Sequence, residues 1–383
     1  MQHASGTFFL RSELVAVLDY GKRVLAIARD GSARHDHEHY PCRIIDAQNL
    51  AVTDLGKLAY LPGPTPQERY GEILDQLPAA LHGLAAGSLL NPEVSGSDRE
   101  IRFLPRRVAG AARGRRAAVV LGGPGTAGYR LRIIDCETLE VLHDIDPTLP
   151  QVGPIPSDRG IWDVALSGDG ESVAMTRCEL RISGKPQRRF WTTFHGELGG
   201  PPSFHLEDFY SADDPEPAAP KLAWCDDRWL VARRRSGSWS LLVLNAQGQV
   251  VDSFPLDEAP MLMQAAVAAP RVALLSESDR LEVIDLDSRE RHVCLPQSSQ
   301  GYPAVAVAPN GSWTAFHDSG NGRVEAWIWQ RDEPVLLDPL PKNETRLEDG
   351  QVLTSIPGLV ISEGGLLSLV ETKPELRPLP FET

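Results

Sequence analysis

The chain has 383 residues, 42% hydrophobic and 23% charged, and a formal net charge of −14. Such acidity repels phosphate backbones and anionic headgroups, which argues against nucleic acid and membrane surfaces as partners and favours, if any partner, a basic protein. Five cysteines (Cys42, Cys136, Cys178, Cys225 and Cys294), widely spaced, odd in number and without a C-x-x-C, fit reduced thiols and not a disulfide framework or a zinc site. The first twenty residues contain Glu13 and Asp19 and lack a basic stretch ahead of an apolar run, so no secretory leader is expected. No apolar run is long enough to span a bilayer, and the expected compartment is the cytoplasm.

Two phrases recur along the chain. The first is a strand, a turn and a return strand. It appears as Leu14 to Asp19 before Val24-Leu25-Ala26-Ile27, and as Val108 to Ala112 before Ala117-Ala118-Val119-Val120-Leu121. It is clearest at Val164-Ala165-Leu166-Ser167-Gly168-Asp169-Gly170 before Ser172 to Met175, and at Val305-Ala306-Val307-Ala308-Pro309-Asn310-Gly311 before Trp313 to Phe316. Glycine in these turns takes positive φ at little cost.

The second phrase is an apolar run closed by a polar hinge and followed by another short strand. The hinges are Asp46, Asp135, His195, Asn245, Asp285, Gln330 and Glu371, the one at His195 being degenerate. From Asn245 onward they recur every 40 to 50 residues or so, the period of four-stranded propeller blades. One blade cannot bury both faces of its inner strands, whereas neighbours stacked in a circle can. The expected architecture is therefore all-β: a single propeller over residues 1–383, with seven four-stranded blades, or six if the degenerate copy at His195 is not a blade. Thr7-Phe8-Phe9-Leu10 is a candidate outer strand latching the last blade, and the run from Leu376 to Phe381 competes for that place.

Early intervals are longer because of insertions. Between the first two blades, residues 65–87 read as helical: Thr65 caps, Pro66 suits the first position, Glu68 completes a capping box, and Tyr70, Ile73, Leu74, Leu77, Leu81 and Leu84 follow helical spacing, with a break at Pro78. Its apolar stripe is expected to pack on the propeller. Residues 198–202 and 211–220, rich in Gly, Pro and Asp, read as long blade loops.

The strand-turn-strand phrases resemble the S-P-D-G turns of WD40-like propeller repeats, and the hinge phrases resemble the V-W-D-L-x-T-G end of the same unit. The resemblance extends over most of the chain, from about residue 8 to 381. The Gly-His and Trp-Asp dipeptides are absent as regular features, and Trp162-Asp163 stands at the wrong place in its blade. What the resemblance implies is a propeller fold and, more weakly, a protein-binding role.

Catalytic and metal motifs are sparse. His35, His37 and His39 would share one side of an extended strand, with Cys42 close behind, a pattern that could hold zinc. The segment falls where a hairpin loop is needed, and a solvated loop is the favoured reading. Residues 122–128, rich in glycine, lack the Gly-Lys-Ser/Thr ending of a phosphate-binding loop and read as a turn. The arginine clusters at 113–116 and 233–235 read as solvated hairpin tips. No catalytic residue, metal ligand or cofactor is assigned. The expected function is a non-catalytic scaffold that grips a protein through the mouth or rim of the ring. Arg107, Trp162 and Tyr302 stand near the entrances of the innermost strands and are of hot-spot type, with core packing between blades an equal reading for Trp162 and Tyr302. The alternative is a hydrolase or lyase with a channel site, metal-dependent through the three histidines.

Overall fold

The computed structural model describes residues 8–30, 41–57, 104–122, 129–145, 159–181, 187–198, 200, 203–210, 219–235, 237–276, 278–296, 303–318, 322–340, 343–346, 352–356, 358–362, 365–370, 373–377 and 379. Blade 1 carries β1 (Phe8–Leu18), β2 (Arg23–Asp30), β3 (Pro41–Asp46) and β4 (Val52–Lys57). Blade 2 carries β5 (Leu104–Gly110), β6 (Arg116–Gly122), β7 (Tyr129–Asp135) and β8 (Val141–Ile145). Blade 3 carries β9 (Arg159–Leu166), β10 (Val173–Arg181), β11 (Gln187–His195) and β12 (Phe204–Tyr210). Blade 4 carries β13 (Lys221–Cys225), β14 (Arg228–Arg235), β15 (Ser238–Leu244) and β16 (Val250–Leu256). Blade 5 carries β17 (Pro260–Ala265), β18 (Arg271–Ser276), β19 (Leu281–Asp285) and β20 (Arg291–Cys294). Blade 6 carries β21 (Pro303–Val307), β22 (Trp313–Asp318), β23 (Val324–Ile328) and β24 (Val335–Leu337). A hairpin of β25 (Asn343–Arg346) and β26 (Val352–Ile356) precedes blade 7, which carries β27 (Gly358–Ser362), β28 (Gly365–Val370) and β29 (Lys373–Arg377).

Each blade is an antiparallel meander, and the first strands form the inner ring: β1, β5, β9, β13, β17, β21 and β27 neighbour one another in turn, and β27 returns to β1. Middle strands are buried on both faces, as β19 and β22 are along their whole length, because each is sandwiched by two blades. Outer strands alternate; β16 hides Phe254 and Leu256 while exposing Val250 and Val251. An apolar cluster fills each of the seven joints. At the closing joint, Val24, Ala26 and Ile45 of blade 1 meet Val360, Leu367 and Leu369 of blade 7.

The degenerate repeat at His195 is a true blade: His195 ends β11, the third strand of its sheet. Closure differs from the sequence-based expectation. The N-terminal run is not an outer strand of blade 7. It begins β1, the innermost strand of blade 1, and its first residues pair in parallel with β26, Phe8 opposite Val352 and Ser12 opposite Ile356. Apolar packing between the first and last blades closes the ring, and the β25–β26 hairpin that leads into blade 7 joins β1 in one six-stranded sheet. Among the described residues blade 7 has three strands. The 65–87 insertion lies outside the described residues, where the sole helical turn is the 3-10 turn Asp19–Gly21 and no helix is long and apolar enough to cross a membrane.

Candidate functional site at the channel wall

Strand direction sorts the connections onto two faces. First-to-second and third-to-fourth strand turns share one face. Second-to-third connections and those between blades leave from the other. The longest stretches, residues 31–40, 58–103, 146–158 and 211–220, all belong to the second set.

The turn face is built for rigidity. Asp46, Asp135 and Asp285 each end a third strand, and one carboxylate oxygen of each accepts the backbone N–H groups two and three residues on, at 2.8–3.1 Å for Asp46 and 3.0–3.1 Å for Asp285. Four residues after each aspartate, Leu50, Leu139 and Arg289 take positive φ, which closes the hairpin at some backbone strain. The hinge aspartates of the sequence are thus turn caps. Between blades, Arg23 reaches Glu137 at 3.0 Å and Arg228 reaches Asp287 at 2.7 Å. The Arg113 guanidinium bonds Asp227 at 2.6 Å, spanning from blade 2 to blade 4 over blade 3. The arginines at 113–116 do form a hairpin tip, and there they are paired.

The inner ring carries the more informative chemistry. Three residues back from the last residue of each innermost strand stand Val15, Arg107, Asp163, Leu222, Leu262, Ala304 and Leu359. Five of these are apolar, as a layer squeezed between blades requires. The two exceptions, Arg107 and Asp163, are on adjacent blades. A β-bulge precedes each, as one also precedes Leu262 of blade 5: Arg106 is unpaired between Pro105 and Arg107, Trp162 between Ile161 and Asp163, and Met261 between Pro260 and Leu262. A bulge re-aims the residues beside it and is common next to functional sites.

Asp163 ties blade 3 to blade 4. Its Oδ2 accepts the Leu222 N–H at 2.8 Å and its Oδ1 accepts the Val164 N–H at 3.0 Å. Lys221 opens β13 next to that bond. Burial pushes the Asp163 carboxyl above the ordinary carboxylate value, with Lys221 and Arg107 pulling it back. Burial likewise lowers the Lys221 ammonium, with Asp163 opposing and Arg107 adding to the shift. Asp163 and Lys221 are thus half-buried charges at the joint of blades 3 and 4, and the charge of the exposed Arg107 of blade 2 acts on both.

Of the residues singled out from sequence, Arg107 lies in this cluster and is exposed. Trp162 is the bulge residue of β9, and Tyr302, just ahead of β21, lies outside the described residues. His35, His37 and His39 also lie outside them. Cys42 is buried in the joint of blades 1 and 2, and burial pushes its thiol up to about 12. The sequence reading passed over Asp163 and Lys221. Aligning the innermost strands on their ends would have found Asp163, as a charge in an otherwise apolar layer.

No family model matches the chain, and no curated protein matches it. Among solved structures it is similar to the β-propeller domain of Cps50 (Swd1) from Myceliophteria thermophila, at 10% identity and a TM-score of 0.48, over 94% of this chain and 93% of that one.

Proposed function

We propose that this protein is a WD40-like scaffold of the cytoplasm that holds a protein partner at the loop-bearing mouth of its ring. One observation carries the reading: the long connections leave from one face, while the opposite face is closed by short capped turns and inter-blade ion pairs. Variable loops on a rigid frame are where recognition concentrates. The net charge of −14 favours a partner with a basic surface, by steering encounter.

Photo-crosslinking tests this. A benzophenone amino acid is placed at Glu258, on the loop face of blade 4, or at Gln247, in the turn-face hairpin of the same blade; both are exposed. In lysate of the source organism, the Glu258 variant should capture a discrete partner and the Gln247 variant should not. Capture from Gln247 alone, or from neither, would refute the assignment of the docking face.

A further inference from the structure

We infer that the joint of blades 6 and 7 is an acid-sensitive seam, which parts when His317 takes up a proton while blade 7 stays attached to blade 1. This property belongs to the ring itself and not to its docking face.

His317 is the penultimate residue of β22 and is 2% exposed. It pairs with Ala304 of β21 and Val324 of β23, and Val324 pairs with Leu337 of β24. Cross-strand partners share a face. This face meets Leu359, Ile361 and Leu366 of blade 7 in one apolar cluster, which Leu340 and Leu379 complete. Among the described residues the imidazole Nδ1 has no hydrogen-bond partner. A neutral ring tolerates such a place at modest cost, and a charged one does not.

Few charges face the ring. Burial holds the imidazole down at about 4; Asp318, next on β22, favours the proton, and Arg377 of β29 opposes it. Strands β21, β24, β27 and β28 bring no titratable side chain. On β23, Arg323 and Glu325 pair at 2.5 Å on the opposite face, Glu325 lying across from Phe316 in the row that turns to blade 5. On β29, Glu375 Oε1 accepts Arg377 Nη2 at 2.9 Å, and Lys373 stands at the far end of the strand, across from Val370. The two sides of blade 7 are held differently. Towards blade 1, β26 runs into β27 and pairs in parallel with β1, so backbone hydrogen bonds reinforce the apolar joint. Towards blade 6, no strand pairing crosses the joint among the described residues. There the connecting segment is tied by the Leu340 N–H, which donates to Gly322 O at 2.8 Å, and by Arg377 Nη1, which donates to the Asp338 carbonyl. A proton on His317 adds a second cation beside Arg377 on the side with fewer ties, so the ring parts there first.

An open seam binds the proton at the ordinary 6.5 and a closed one only near 4, so acid favours opening by tenfold per pH unit between those values. From about pH 7.5 to about pH 5 the open population should rise roughly thirtyfold. Native thiols mark other joints and serve as internal controls: Cys42 and Cys136 lie between blades 1 and 2, Cys225 between blades 4 and 5, and Cys294 between blades 5 and 6.

The test adds a thiol to the seam of the full chain, by Ala326→Cys or Ala306→Cys, both sites in the cluster shared by blades 6 and 7. Labelling by 4,4′-dithiodipyridine is followed by peptide mass mapping, and each rate is divided by that of an unstructured cysteine peptide at the same pH. The corrected rate then tracks the open population. The added thiol should label roughly thirtyfold faster at about pH 5 than at about pH 7.5, ahead of the four native thiols. His317→Leu or His317→Gln in the same background should remove the rise. Melting curves establish that each variant is folded, and two reporters and two replacements keep the test decisive if one misfolds. A flat response with histidine in place, or a rise that survives a folded His317 replacement, would overturn the inference. So would native thiols that speed up in step with the added one, since the whole molecule would then be unfolding.

Discussion

His317 sits on β22 at 2% exposure, and its Nδ1 finds no hydrogen-bond partner among the described residues. Burial holds the imidazole down at about 4, against the ordinary 6.5; the Asp318 carboxylate pulls the other way and the Arg377 guanidinium adds to the depression. Above pH 6.5 both folded and unfolded chains are neutral at this group and it exerts no pH effect. Below 6.5 the unfolded chain takes up a proton that the folded chain refuses, so stability falls with pH until the folded form also protonates near 4. The difference of those two values corresponds to roughly 3 kcal/mol, at about 1.4 kcal/mol per pH unit.

Replacement by leucine removes this one titration and leaves the others in place. Urea unfolding followed by tryptophan fluorescence, from about pH 7.5 down to about pH 4, gives stability curves for the parent and for His317→Leu. Their difference should shift by roughly 3 kcal/mol across that window in favour of the variant. Parallel curves would show that His317 is not buried as a neutral group and would refute the reasoning.

Other outcomes follow from the joints and turns. Burial pushes Cys42, Cys136, Cys225 and Cys294 up to about 12, so the native protein should resist a thiol reagent at mildly alkaline pH and react once unfolded; prompt native labelling of any of the four would contradict their placement. Leu367→Ala, at the closing joint, should cost about 2–5 kcal/mol in one cooperative transition, whereas a separate early transition would mean that blade 7 is not integral to the ring. Asp285 caps two backbone N–H groups and accepts Arg271 Nε at 3.0 Å, so Asp285→Ala should lower stability by about 1–3 kcal/mol. Arg228→Ala, which breaks the more exposed pair with Asp287, should cost no more than about 1 kcal/mol in the same melts.

Local signals carried most of the architecture. Hinges such as Asp135 and Asp285 were legible because a third-strand end needs a side-chain acceptor for the free N–H groups of the turn, and aspartate supplies it at a fixed spacing. The turn at 167–170 was legible for the same kind of reason: Asp169 accepts Ser167 Oγ at 2.6 Å, and Gly170 takes a φ of +78°. Even the degenerate blade at His195 kept its apolar run. Arg107 was found at its strand entrance, but its neighbours were not, because Asp163 and Lys221 belong to other blades and no sequence spacing links them.

By itself, then, the order of residues settled what each blade must do: form strands, turn at capped positions and leave two apolar faces in need of cover. Which faces meet was a matter for the closed ring. Val24 lies beside Val360, β1 takes the inner place beside β26, and Asp163 bonds the Leu222 N–H, because curvature brings distant segments together. Strand periodicity is a property of adjacent residues. Contact across a joint depends on how all seven wedges share one circle.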